Sequence, residues 1–264
     1  MTTSMKGGGG KSTLANAIVD YARRTELPMA AYDADGAICS LSDMHASRDA
    51  DGKLMAIQDP LLGVVGYNIR DESRPMLFNS LEQGHACILH DMAGGSLMDM
   101  QRIFDDQGSL KNFSRALNAA QTRPVFLNVV TPDASTVASV ARHLDLMDEL
   151  GELAKHASHI AVLNRHGNRK DQDFPDWYGY VDAEGTSRGV KTRARLLADG
   201  GAELDLPSMN DRTAALVKAL RIPFSAAIDD IRLDAHDRQR VRMFTQDFEE
   251  ALTQDVRILM GVET

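Results

Sequence analysis

Short apolar runs alternate with amphipathic stretches along the chain, in the order α-β-α-β-α-β-α-β expected of β-α units around a parallel sheet. Four runs predict strands: Met29 to Asp33, Ala86 to Asp91, Val125 to Val130 and Ile160 to Asn164. Each is continuously apolar rather than alternating, the pattern of strands covered on both faces. Between them Leu14, Ile18 and Ala22 mark one helical stripe, and a second runs from Asp133 to Leu150, with Thr131-Pro132-Asp133 reading as its cap. The stretch from Arg165 to Arg195 is polar and carries Gly167, Pro175, Gly179, Gly185 and Gly189, which predicts a long surface excursion. Within it, Trp177 and Tyr178 are expected to cover the core. A weak strand near Leu204, a helix from Asp211 to Leu220 and an amphipathic helix over about 234–258 follow. In the last, Val241, Phe244, Phe248 and Leu252 fall on one face. The expected fold is α/β, a mostly parallel central sheet with helices on both faces, in one domain spanning 1–264.

Candidate chemistry is concentrated near the start, where Lys6-Gly7-Gly8-Gly9-Gly10-Lys11-Ser12-Thr13 runs directly into the first helical stripe. Consecutive glycines let N–H groups converge on one point with no Cβ in the way, and the helix start adds partial positive charge. Such a loop is a phosphate cradle. In it Lys11 sits on the β- and γ-phosphate oxygens, and the Ser12 hydroxyl completes the coordination of a Mg²⁺ ion bridging them. A flexible linker is the rival reading; Lys-Ser-Thr at the matching offset and the immediate helix oppose it.

Two acidic clusters close predicted strands. Asp33-Ala34-Asp35-Gly36 follows the first, so one or both carboxylates could reach a nucleotide, against the plain alternative of an Asp-Gly turn. Asp91-Met92-Ala93-Gly94-Gly95 follows the second, where a carboxylate can hold a Mg²⁺-bound water and the glycines give a loop able to sense a γ-phosphate. Ligands of open parallel sheets bind beyond the carboxyl ends of strands, and the glycine loop, Asp35, Asp91 and Asn164 all fall there.

The strict pattern G-x-x-x-x-G-K-[ST] is not met, because Met5 stands at its first glycine, whereas K-G-G-x-G-K-[ST] is met in full. On this loop, and on the clusters at 33–36 and 91–95, the chain resembles the deviant Walker A ATPases, the ParA/MinD family of P-loop NTPases with a SIMIBI-like fold. The resemblance implies ATP and Mg²⁺ as cofactors, bound by Gly7, Gly8, Gly9, Gly10, Lys11, Ser12 and Thr13, with Asp91 acting on the metal through water. It implies that Lys6 reaches the phosphates of the other subunit in a nucleotide-sandwich homodimer. It also implies that Asp35 positions the attacking water, with Asp33 a structural or metal-shell group. Asn164 resembles the residue that hydrogen-bonds adenine; otherwise it is a turn former. Asn164-Arg165 and Leu206-Pro207 look most like members associated with plasmid partition and conjugative transfer. The expected function is a slowly hydrolysing ATP-dependent dimerisation switch in partition, transfer or cargo positioning, acting through an activating protein or cargo adaptor. The alternatives are a P-loop small-molecule kinase or ATP-dependent ligase, and a nucleotide-gated scaffold without hydrolysis.

Two departures weaken the cradle. Only Met1 to Met5 precede Lys6, poor material for the usual apolar strand of about five residues, so the strand is stunted or the true start lies upstream. Gly9 stands where relatives carry a small apolar residue.

The chain of 264 residues is 43% hydrophobic, and 29 Lys and Arg against 38 Asp and Glu give a net charge of −9. That balance opposes non-specific attraction to nucleic acid. Binding to DNA would need a local patch, for which Arg165, Arg169 and Lys170, then Arg188, Lys191, Arg193 and Arg195, then Arg238, Arg240 and Arg242 are candidates. MinD-like relatives attach to membranes through a basic terminal helix; here Asp247, Glu249, Glu250 and Asp255 argue against it. No apolar run approaches the roughly 18 residues of a membrane span, so a cytoplasmic location is expected. Cys39 and Cys87 read as buried thiols, and the H-x-x-H pair His156 and His159 as a helix-end pair rather than a metal site.

Overall fold

The computed structural model describes residues 1–3, 8–36, 39–95, 109–151 and 154–262. Strands β1 (Thr2–Thr3), β2 (Met29–Asp33), β3 (Val65–Gly66), β4 (Cys87–Asp91), β5 (Val125–Val130), β6 (Ser158–Asn164) and β9 (Ala202–Leu206) form one sheet in the order β3-β2-β4-β1-β5-β6-β9. Every pairing in it is parallel. A separate antiparallel hairpin joins β7 (Tyr180–Val181) and β8 (Ser187–Arg188). The helices are α1 (Lys11–Arg24), α2 (Ser40–His45), α3 (Met76–Glu82), α4 (Ser109–Ala119), α5 (Ala134–Leu150), α6 (Pro175–Tyr178), α7 (Lys191–Ala198), α8 (Asp211–Leu220), α9 (Phe224–Ala227), α10 (Ala235–Ala251) and α11 (Gln254–Met260). The expected α/β architecture with a parallel sheet is therefore what the chain adopts.

Alternate residues of each strand enter opposite layers, as the period of two dictates. Leu127 and Val129 of β5 with Ile160 and Val162 of β6 pack beneath α1, α8 and α10, against Ile18, Val217, Phe244 and Phe248. Val130, Ala161 and Leu163 face the other way, onto Val137, Val140, Phe174, Trp177 and Leu196. That double cover is why the strands read as unbroken apolar runs. The predicted face of the last helix is also realised, since Val241, Phe244, Phe248 and Leu252 are all buried.

Several expectations need correction. The stretch 165–195 is not a bare surface excursion: it holds a 3₁₀ turn (Asp171–Asp173), α6, the hairpin and the start of α7, and it drives Phe174 and Trp177 into the core. The terminal helix does not run to 258. It stops at Ala251, and α11 restarts after Thr253; Arg257 donates through Nε to the Leu252 carbonyl at 2.7 Å, satisfying an acceptor that the break exposes. Cys39 is exposed and Cys87 half-buried. His159 lies within β6 and His156 in the turn before it, so the two are not a helix-end pair.

β1 contributes two residues where β4 and β5 contribute five and six. Thr2 pairs with Asp91 on one side and Leu127 on the other, and Thr3 with Asn128. At the amino ends of the strands a cavity of about 450 Å³ opens among Met1, Met29, Ile88, Leu117 and Val125.

Candidate phosphate-binding site

The site is built on the end of α1. Gly10 precedes this helix with φ 100, a left-handed conformation that glycine adopts without strain, and no side chain caps the first turn. The N–H groups of Lys11, Ser12 and Thr13 therefore have no acceptor within the helix, and the positive end of the helix dipole lies at this turn. A Cβ at Gly10 would come within 2.6 Å of Asn164 Nδ2. A larger residue would have to displace the Asn164 side chain as well as adopt the left-handed backbone.

Lys11 is only 8% exposed. Burial lowers its pKa, while the charges of Asp91 and Asp35 act in the opposite sense. Asp91 is buried at the end of β4. Burial pushes its carboxyl up to about 6; hydrogen bonds from Thr2 and Ser12 and the Lys11 charge pull the other way, while neighbouring Asp33 raises it further. The Thr2 hydroxyl donates to Asp91 Oδ1 at 2.5 Å and receives the Met92 N–H at 3.2 Å. Hydroxyl and carboxylate oxygens meeting beside a lysine form an oxygen-only donor set, which suits a small hard cation carried with phosphate.

The two aspartates after β2 differ. Asp33 is buried, and its Oδ2 accepts the N–H groups of Leu41 and Ser42, each at 3.0 Å, while Oδ1 accepts that of Asp35. It anchors the start of α2, and burial raises its pKa. Asp35 is half-buried, and its charge acts to raise the pKa of Lys11. Asn164 donates through Nδ2 to the Gly9 carbonyl at 2.8 Å, and its Oδ1 accepts the His166 N–H. A base contact by Asn164 would require it to exchange these bonds. Beside it, an open cleft of about 750 Å³ runs between Arg165, Lys170, Pro207, Ser208 and Glu250.

Of the residues singled out in the sequence, Lys11 interacts with Asp35 and Asp91, Ser12 bonds Asp91, and Asn164 bonds the Gly9 carbonyl, while Gly8, Gly10 and Thr13 lie beside them along the chain. Lys6 and Gly7 lie outside the described residues. Sequence reasoning missed Thr2, whose polarity made β1 look like poor strand material but whose hydroxyl is what holds Asp91. It also missed Arg70, in the loop after β3, which donates to the Gly94 carbonyl at 2.5 Å. The basic patches are largely neutralised: Arg165 pairs with Asp171 and Asp205, Arg188 with Asp182, Arg193 with Glu203, Arg195 with Asp145 and Asp148, Arg240 with Asp237 and Arg242 with Asp229. Among the described residues, no helix is long and apolar enough to cross a membrane.

No protein family and no curated protein matches the chain by sequence. Among solved structures it is similar to the MinD cell division protein of Aquifex aeolicus, with 17% identity, 94% of this chain and 95% of that one covered, and a TM-score of 0.46. It is also similar to a nucleotide-binding protein in complex with ADP from Archaeoglobus fulgidus, with 16% identity, coverage of 84% and 86%, and a TM-score of 0.42. At that level of likeness, function has to be argued from the site residues themselves.

Proposed function

We propose that this protein is a Mg²⁺-dependent ATP-binding switch that hydrolyses slowly and dimerises around its nucleotide. The observation that carries the reading is the buried Lys11 in the first turn of α1, with the charges of Asp91 and Asp35 acting on it. A desolvated ammonium beside helix N–H groups that have no intrahelical acceptor favours a triphosphate. Ser12 and Asp91 would hold Mg²⁺, which when bound neutralises charge on the phosphates. Lys11 and the loop amides would bind and orient the phosphate tail, and Asp35 would orient a water molecule. Phosphoryl transfer needs positioning and charge stabilisation rather than covalent help, and these residues supply both. Lys6 would act across the dimer, and Asn164 would turn from Gly9 to the base. A role in plasmid partition, conjugative transfer or cargo positioning, through an activating protein partner, follows from the family resemblance of the loop.

Calorimetry with ATP, ADP and a non-hydrolysable analogue in the presence of Mg²⁺, combined with size-exclusion chromatography, tests the proposal. Wild type should bind all three and form dimers with the analogue alone, whereas Asp35→Ala should bind and dimerise but lose turnover. No uptake of adenine nucleotide would sink it.

A further inference from the structure

The loop between β3 and α3 touches both loops that flank Lys11. Tyr67 donates its N–H to the Asp33 carbonyl at 2.8 Å and Ile69 to that of Ala34 at 3.3 Å, so the segment is stitched to the end of β2. Asn68 packs so closely on Gly36 that a Cβ there would lie 2.6 Å from its own Cβ. The Asn68 side chain accepts the Arg70 N–H at 3.0 Å, which sets where the arginine starts. Arg70 then reaches across to the Gly94 carbonyl, three residues beyond Asp91. The strand order explains the geometry, since β3 and β4 flank β2 on its two sides and a loop leaving β3 must cross the end of β2 to meet the loop after β4.

We infer that Arg70 is a positioning residue that fixes the Gly94–Gly95 peptide and couples it, through Asn68, to the loop carrying Asp35. This rests on the reading of the rim as an ATP site and adds to it a route by which the two loops respond as one. A guanidinium bond to a carbonyl is charge-assisted, stronger than a neutral hydrogen bond and directional. It holds a glycine pair that would otherwise sample many conformations, and so prepays the ordering that a γ-phosphate would demand. ADP lacks that phosphate, so the fixed peptide should matter for ATP and not for ADP.

The test has two arms. In the first, amide hydrogen exchange on nucleotide-free protein compares wild type with Arg70→Ala. Exchange should rise at least fivefold in 92–95 and also in 34–36, with α10 and β6 unchanged; acceleration confined to 92–95, or none, overturns the coupling. In the second, Arg70→Ala should weaken a non-hydrolysable ATP analogue about tenfold, the scale of one charge-assisted bond, and ADP less than twofold, with Arg70→Lys recovering part of the loss. Gly36→Ala, which must displace Asn68, should give the same ATP-selective loss, and the double variant should lose no more than either alone. Equal losses for ATP and ADP, or additive losses, would reduce Arg70 to a structural contact. Should wild type bind neither nucleotide, the ATP reading fails, and the exchange arm still judges the coupling.

Discussion

The rim and the interior bury polar groups in opposite ways. Inside the layers neutral groups meet neutral groups: His90 meets the Tyr67 hydroxyl at 3.0 Å and the Ser80 hydroxyl at 3.1 Å, and His143 and His159 flank the Asn128 amide at 2.6 and 3.3 Å. At the rim Lys11 and Asp91 are buried as groups of opposite charge beside helix N–H donors that have no intrahelical acceptor. Neutral partners of this kind build structure, whereas opposite charges gathered at an opening mark a candidate site.

Acid should break the interior first, and by the largest margin. Burial lowers His45, His143 and His159 to about 4 and His90 to about 3, against an ordinary 6.5. These groups are neutral when folded, so between those values and 6.5 the unfolded chain binds more protons. The stability they contribute is complete above pH 6.5 and is lost as pH falls toward 4, each proton adding about 1.4 kcal/mol per pH unit. Urea midpoints measured from pH 7.5 to 4.5 should drop steeply below 6.5, and a flat profile would refute the neutral interior. Replacing the rim cation with Lys11→Ala should instead spare the far-UV spectrum and cost at least ~100-fold in nucleotide affinity, near 2.7 kcal/mol, by calorimetry. Gly10→Ala sharpens the contrast, since it strains φ 100 and drives a Cβ onto Asn164. A loss of about 1–2 kcal/mol in stability should accompany weaker nucleotide binding. Smallest should be Cys87→Val, which adds a methyl to the cavity at the amino ends of the strands: a gain below ~1 kcal/mol in chemical denaturation, with nucleotide affinity unchanged.

What could be read in advance follows from how local each signal is. The strands of the sheet interior and α8 are legible because continuous apolar runs and helical spacing are properties of neighbouring residues. So is the cap of α5, where Asp133 accepts the Ser135 N–H at 2.9 Å. The two-residue strands β3, β7 and β8 leave no periodicity to detect. The Arg70–Gly94 and Thr2–Asp91 contacts join residues brought near only by strand order, so their identity as a pair is invisible until β1, β2, β3 and β4 are laid side by side. Polarity also misled. The arginines of 165–195 read as a basic surface, yet their carboxylate partners come from α5, β9 and the turns between, which the linear sequence keeps apart.

The sole tryptophan gives the folded chain a built-in optical reporter. Trp177 is wholly enclosed, and its indole Nε1 donates to Glu203 at 2.6 Å, a carboxylate that Arg193 also grips. Its emission should be blue-shifted and poorly quenched by iodide, and should report whether α6 stays seated on β9. Titrations followed by this fluorescence would therefore register seating of that corner rather than events at the glycine loop.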